Sequence, residues 1–148
     1  MIQTYRLAHP KYAQDISGYG SFLVPGRWNF KGVRILYTSE NSSLALLEYL
    51  AHTEGLKRRL PYQLITLQVP GDSVKEYTTT ELGPGWKENI LQTREIGTAW
   101  LESGSSLLLK VPSVINDDNI NILVNPVHPH FEHVKILNTK EITFDPRL

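Results

Sequence analysis

Hydrophobic and polar positions alternate with a period of two over several short stretches of the chain and with a helical period over two longer ones. Tyr62 to Val69 sets Tyr, Leu, Thr and Gln against Gln, Ile, Leu and Val and ends at Pro70-Gly71, which predicts a strand and a turn. Shorter runs at Ile2–Leu7, Arg34–Thr38, Val74–Thr78, Leu107–Val111 and Asn121–Val124 read as further strands. His133–Leu137 and Glu141–Phe144 read as a closing hairpin through Asn138-Thr139. Helical spacing begins after Asn41 or Ser42, either of which can cap, with Glu40 near the positive end, and runs to about Thr53 before Gly55. A second helix is predicted from Trp86 or Lys87 to Ser103, stopped by Gly104, with Ile90, Thr93, Gly97, Trp100 and Leu101 on one face. Gly97 inside a helix costs about 1 kcal/mol against alanine, so another backbone or a ligand is expected to pack close to it. Asp15 to Gly26, rich in Gly and Pro, is predicted as a long ordered loop. Many strands, two inserted helices and no regular βαβ alternation predict an α+β fold: one domain, with a mixed, mostly antiparallel sheet and two main helices.

Composition narrows the function classes. The 148 residues fit one domain and can bury a core without staples. The chain has no cysteine, so disulfides, thiolate metal sites and thiol nucleophiles are excluded. Fifteen basic and fifteen acidic residues balance, which gives no electrostatic case for direct binding to nucleic acid or an anionic membrane. No apolar run is long enough to span a bilayer, and the first residues lack a signal-peptide layout. The expectation is a soluble cytoplasmic domain. Lys57-Arg58-Arg59 is a small basic cluster, read as a solvated face in preference to a phosphate site.

The candidate chemistry gathers in one loop–strand–helix unit. Leu44, Leu47, Glu48 and Ala51 share a helical stripe, so Glu48 points where apolar neighbours point. An unpaired buried carboxylate costs several kcal/mol, so Glu48 must meet a cation, a set of donors or a wet cleft. It is either half of a structural ion pair or a carboxylate at the base of a cleft. Arg27, freed by Gly26, is its natural partner, and its guanidinium fork equally suits phosphate. Trp28 reads as core, while Tyr37 ends a strand beside that loop. Ser113, in Val111-Pro112-Ser113-Val114, lacks the glycine-flanked elbow of a hydrolase nucleophile and reads as a turn serine or a donor to a ligand. Asn125-Pro126-Val127-His128-Pro129-His130-Phe131, followed by His133, has prolines between its histidines and no matching carboxylate, so no metal is expected. It reads as a rigid turn whose Asn125 and His128 order a pocket wall.

Together these pieces resemble the RES domain family, the toxin of the bacterial Xre–RES type II toxin–antitoxin system. The shared positions are Arg6, Gly18-x-Gly20, Gly26-Arg27-Trp28-Asn29, Gly32, Tyr37-Thr38-Ser39, Leu44 to Glu48, Gly85-Trp86, Thr93-Arg94-x-x-Gly97-x-x-Trp100, Val111 to Val114, and Asn121 to Phe131. One departure is Pro25, where the family usually has glycine, which should stiffen the loop before Arg27. The resemblance implies an ADP-ribosyltransferase-like fold and an enzyme that cleaves the nicotinamide–ribose bond of NAD⁺ by hydrolysis or phosphorolysis, or that ADP-ribosylates a protein. A non-catalytic nucleotide-binding module is the alternative. Position by position, the family's arginine, tyrosine, glutamate and serine fall on Arg27, Tyr37, Glu48 and Ser113.

The resemblance gives these residues roles. Glu48 would face the positive charge that develops on the ribose as nicotinamide leaves. Arg27 would bind phosphate, Tyr37 would stack on the nicotinamide ring, and Ser113 would donate to the carboxamide or a ribose oxygen. Arg34 and Asn125 are further candidates for the pocket wall. No glycine-rich dinucleotide fingerprint is present, so the site would not be a Rossmann one. The implied partner is a cognate helix-turn-helix (Xre-type) antitoxin that plugs the cleft, with a homodimer of the toxin within the complex as one arrangement.

Overall fold

The computed structural model describes all residues, 1 to 148. Seven strands form one sheet: β1 (Ile2–Ala8), β2 (Leu36–Ser39), β3 (Tyr62–Val69), β4 (Val74–Glu76), β5 (Leu108–Pro112), β6 (Ile120–Val124) and β7 (Lys135–Ile142). Their order is β4-β5-β6-β2-β1-β3-β7. Only the β4–β5 pair is parallel, so the sheet is mixed and mostly antiparallel, as the pattern predicts. Four α-helices complete the α+β architecture: α1 (Tyr19–Leu23), α2 (Ser42–Ala51), α3 (Thr79–Leu82) and α4 (Ile90–Ser103). No helix is long and apolar enough to cross a membrane.

The joint between β1 and β2 shapes the rest. Whereas β1 meets β3 along seven residue pairs, from Ile2↔Val69 to Ala8↔Gln63, it meets β2 through Tyr5↔Ser39 alone. The sheet therefore splays into two halves held together at one point. Each half is locked from its other side, by the β2–β6 ladder and by the β1–β3 ladder.

Alternation divides the core between the two faces of the sheet. Leu108, Ile122 and Val124 join Leu36, Ile65, Leu67 and Val69 in one buried cluster, while Leu109, Val111 and Leu123 join Trp28, Trp86, Trp100 and Leu101 in another. Of the face predicted on the second long helix, Thr93, Gly97, Trp100 and Leu101 of α4 are buried, and Ile90 is exposed. The helix starts later than the sequence suggests, because Asn89 caps it through Gln92 N–H at 3.1 Å and Trp86–Glu88 forms a separate 3-10 turn. The expectation at Gly97 holds in detail: a Cβ there would sit 1.8 Å from the carbonyl oxygen of Trp28.

Four sequence expectations change. The Asp15–Gly26 segment is not all loop, since it contains α1, entered through Gly18 in the left-handed region (φ 76°). The closing hairpin is a single strand, β7, running antiparallel to β3 with Asn138 opposite Thr66 and Thr139 opposite Ile65. The register shifts between Thr66 and Leu67, and the unmatched Leu137 is the extra residue of a bulge. Asn and Thr, read as turn residues, are tolerated because β7 is an edge strand with a solvated outer side. On α2, Leu47 and Ala51 are exposed; the packed residues are Leu44 and Ala45, with Leu46, Tyr49 and Leu50 set against Leu7, Tyr62 and Phe144. The basic cluster is partly structural, for Arg58 donates to Thr53 O at 2.7 Å and Leu50 O at 3.2 Å, satisfying carbonyls at the end of α2.

Candidate active site

Where β1 and β2 splay, a cavity of about 570 Å³ opens, within the range of small-molecule sites. Its walls are Tyr5, Arg6 and Leu7 from β1, Tyr37, Thr38 and Ser39 from β2, the Gly26–Trp28 loop, one face of α2, and Pro112, Val114, Ile115 and Asn121. A second cavity of about 600 Å³ lies against it and shares Arg6, Leu7, Tyr37 and Tyr49.

Glu48 reaches the cavity because α2 is started by Asn41, whose Oδ1 accepts from Leu44 N–H at 2.8 Å and sets the helix phase against β1 and β2. Its carboxylate is held by neutral donors. Ser113 Oγ donates to Glu48 Oε1 at 2.6 Å, and Asn121 Nδ2 donates to the same oxygen at 2.9 Å. Asn121 is itself oriented by Ser39 Oγ, which donates to its Oδ1 at 2.7 Å. Both bonds fall on Oε1, which leaves Oε2 to the cavity.

Arg27 does not pair with Glu48, contrary to the natural partnership read from the sequence. Its Nη2 donates to the carbonyls of Trp86 and Lys87, and its guanidinium lies 5.9 Å from the Trp86 ring centre. Burial lowers its pKa, yet a guanidinium stays charged at any physiological pH. The backbone beneath it is tied to α4: Thr93 Oγ1 donates to Arg27 O at 2.8 Å and Arg94 Nε to Gly26 O at 3.0 Å. Arg6 also lines the cavity, with Nη1 donating to Asp15 O at 3.2 Å. Neither arginine is in a salt bridge.

Tyr37 lines the cavity with its ring and anchors the arginine loop with its hydroxyl. Trp28 N–H donates to Tyr37 Oη at 2.9 Å, and Oη donates to Asn29 Oδ1 at 2.6 Å. Burial pushes this phenol upward, so it stays protonated. Asn29, fully buried, gathers the loop by also accepting from Gly26 N–H at 2.9 Å and donating to Ser21, Phe30 and Val33 carbonyls. Gly26 is required by this closeness, since a Cβ there would meet the Tyr37 ring and hydroxyl at 2.7 Å. Tyr37→Phe is expected to keep the ring but leave the Trp28 N–H and an Asn29 lone pair unpaired, lowering stability by about 1–3 kcal/mol in urea unfolding.

The other sequence candidates sit elsewhere. Ser113 is fully buried and does not line the cavity; its proton goes to Glu48 while it accepts from Ile115 and Asn116 N–H at 3.1 and 3.2 Å, so it orients the carboxylate instead of reaching a ligand. Arg34 is off the wall, 5.3 Å from the ring centres of Tyr19 and Phe22. Asn125 is fully buried, donating to Leu101 O at 3.3 Å and accepting from Val127 N–H at 3.0 Å; it braces the turn after β6. His128 accepts from His130 N–H in the same turn, away from both splayed-sheet cavities. Residues that sequence reasoning gave no role are Asn121, Ser39, Tyr49 and His52. The placement of Asn121 opposite Ser39 follows from the β2–β6 register, which no local pattern reports.

The RES domain family model matches residues 3–145. The chain belongs to the RES domain family. It is 33% identical to Toxin Res of Yersinia enterocolitica over 99% of each chain, and 36% identical to Toxin Res of Pseudomonas putida over 90% of this chain and 92% of that one. It is 34% identical to the Prs ADP-ribosylating toxin of a Sphingobium strain, over 92% of this chain and 88% of the relative. Among solved structures, a chain of the M. tuberculosis MbcT–MbcA toxin–antitoxin complex shares the fold, with a TM-score of 0.71 at 18% identity, covering 96% of this chain and 84% of that one.

Proposed function

We propose that this RES-family toxin consumes NAD⁺ by breaking its nicotinamide–ribose bond. The carrying observation is the charge layout of the cavity: one carboxylate oxygen, Oε2 of Glu48, left to the cavity, and two guanidinium groups, Arg6 and Arg27, in the same lining without a carboxylate partner. NAD⁺ carries the complementary pattern, a cationic nicotinamide riboside joined to an anionic pyrophosphate.

Each residue has a task in that reading. As the C1′–N bond lengthens, the electron pair leaves with neutral nicotinamide and positive charge builds on the ribose. Glu48 Oε2 stabilises that charge, while Ser113 and Asn121 hold Oε1 so that the carboxylate does not have to reorient during the reaction. Arg27 and Arg6 bind the pyrophosphate as charged donors. The Tyr37 ring offers an apolar face to the nicotinamide. All of this is done by side chains, with NAD⁺ as substrate and no metal.

The Sphingobium relative's name favours a second reading, in which the same bond breaks and a protein takes the ADP-ribose. The neighbour from a toxin–antitoxin complex supports a cognate antitoxin as the partner that restrains the activity. The helix-turn-helix class proposed for that antitoxin follows from the family resemblance. The test is to incubate the purified protein with NAD⁺ and follow nicotinamide by chromatography, without an added acceptor, with phosphate, and with candidate proteins. Release above a Glu48→Gln control is the expected result; none with any acceptor would overturn the proposal.

A further inference from the structure

Glu48 is not the only proton acceptor in the cavity. The other titratable side chains in the lining are His52, Arg6, Arg27 and the phenols of Tyr5, Tyr37 and Tyr49. Guanidinium groups do not give up their protons, and a neutral phenol is a poor base. Burial, with Tyr62 beside it, pushes the Tyr49 phenol further out of range, up to about 12. Glu48 and His52 are what remains: Glu48 lies in the last turns of α2, and His52, four residues on, caps the end of that helix, and both line the cavity.

The two groups are set up differently. Glu48 has Oε1 committed to Ser113 and Asn121, and on the reading above its second oxygen faces the ribose cation. His52, at the end of α2, places Nδ1 2.9 Å from the carbonyl oxygen of Glu48. A carbonyl can only accept, so Nδ1 carries the hydrogen, and in the neutral ring Nε2 is left as the lone-pair nitrogen. The ring is exposed and lines the cavity.

We propose that His52 is the general base for the acceptor, and that the acceptor is a neutral O–H compound, water or an alcohol. This rests on the NAD⁺ reading above. In the step, the acceptor oxygen bonds to C1′ of the ribose as the C1′–N bond breaks, nicotinamide leaves with the electron pair, and the acceptor proton passes to His52 Nε2. The imidazolium then returns the proton to solvent. NAD⁺ and an O–H acceptor thus become nicotinamide, an O-linked ADP-ribose and one proton. A phosphate ion already carries a charged oxygen nucleophile and needs no such base, which separates the two kinds of acceptor.

The experiment compares wild type with His52→Asn and His52→Ala, with and without phosphate. In His52→Asn the amide nitrogen can replace Nδ1 at the Glu48 carbonyl, while the base is gone. In phosphate-free buffer, nicotinamide release by His52→Asn should fall roughly 100-fold in kcat, the size of a general-base contribution, with KM for NAD⁺ and the unfolding midpoint unchanged. Added imidazole should restore release by His52→Ala, and any phosphate-dependent release should survive both substitutions. Equal phosphate-free rates in wild type and His52→Asn would overturn the inference, as would wild-type release that requires phosphate. Wild type silent with every acceptor would instead remove the NAD⁺ reading on which it rests.

Discussion

Glu48→Gln is expected to lower nicotinamide release by two to three orders of magnitude while leaving the fold intact. The substitution is nearly isosteric, and the glutamine Oε1 can still accept from Ser113 Oγ and Asn121 Nδ2, so the buried donors keep their partner. What disappears is the negative charge that, in the proposed reaction, would face the ribose. Loss of a single preorganised electrostatic contact costs roughly 10²–10³ in kcat, and here a full charge is removed. The melting temperature should stay within a few degrees of wild type, because no salt bridge is broken. Glu48→Ala should also lose activity, but with a stability cost, since the Ser113 hydroxyl and the Asn121 amide would then lose their acceptor. A stable Glu48→Gln protein that turns over NAD⁺ at the wild-type rate would show that the carboxylate is a structural acceptor only.

Gly97→Ala is the second large effect, and it acts through packing. A Cβ at position 97 would lie 1.8 Å from Trp28 O and 2.8 Å from Trp28 Cβ, in the middle of a buried cluster. No rotamer relieves this clash, because the obstacle is backbone. α4 and the Arg27–Trp28 segment must move apart, and with them the bonds from Thr93 Oγ1 to Arg27 O and from Arg94 Nε to Gly26 O. The gain of about 1 kcal/mol in helix propensity is outweighed by overpacking of about 3 kcal/mol or more. For a domain of this size the net loss of about 2 kcal/mol or more is a fall in Tm of roughly 6 °C or more, measurable by thermal unfolding. Activity should fall further than stability alone requires, because Arg27 rides on the displaced segment.

These two residues also mark what local pattern can reveal. Gly97 is informative because glycine inside a helix is costly without a close neighbour, so the sequence alone says that something packs there. Glu48 stands out as a carboxylate among apolar residues, a placement that demands donors or a cleft. The long strand Tyr62–Val69, with its strict alternation, is read to the residue. By contrast β7 is misread as a hairpin, because Asn138 and Thr139 have turn chemistry and only pairing with β3 keeps them extended. Arg34 and Asn125, expected on the pocket wall, send their side chains instead to aromatic rings and to a helix carbonyl.

By itself the sequence determined the α+β class, most strands, the two long helices, and the motif set that places the chain in the RES domain family. Periodicity, capping and glycine placement are local, and local signals survive reading in one dimension. Tertiary structure decided what surrounds the carboxylate. That Glu48 meets Ser113 and Asn121 instead of Arg27 depends on residues 65 and 73 positions away, brought in by β5 and β6. That a cavity exists at all depends on β1 and β2 touching at a single pair, a property of two strands from different halves of a sheet. Non-local register leaves no trace in either strand's own pattern, and the site is built on it.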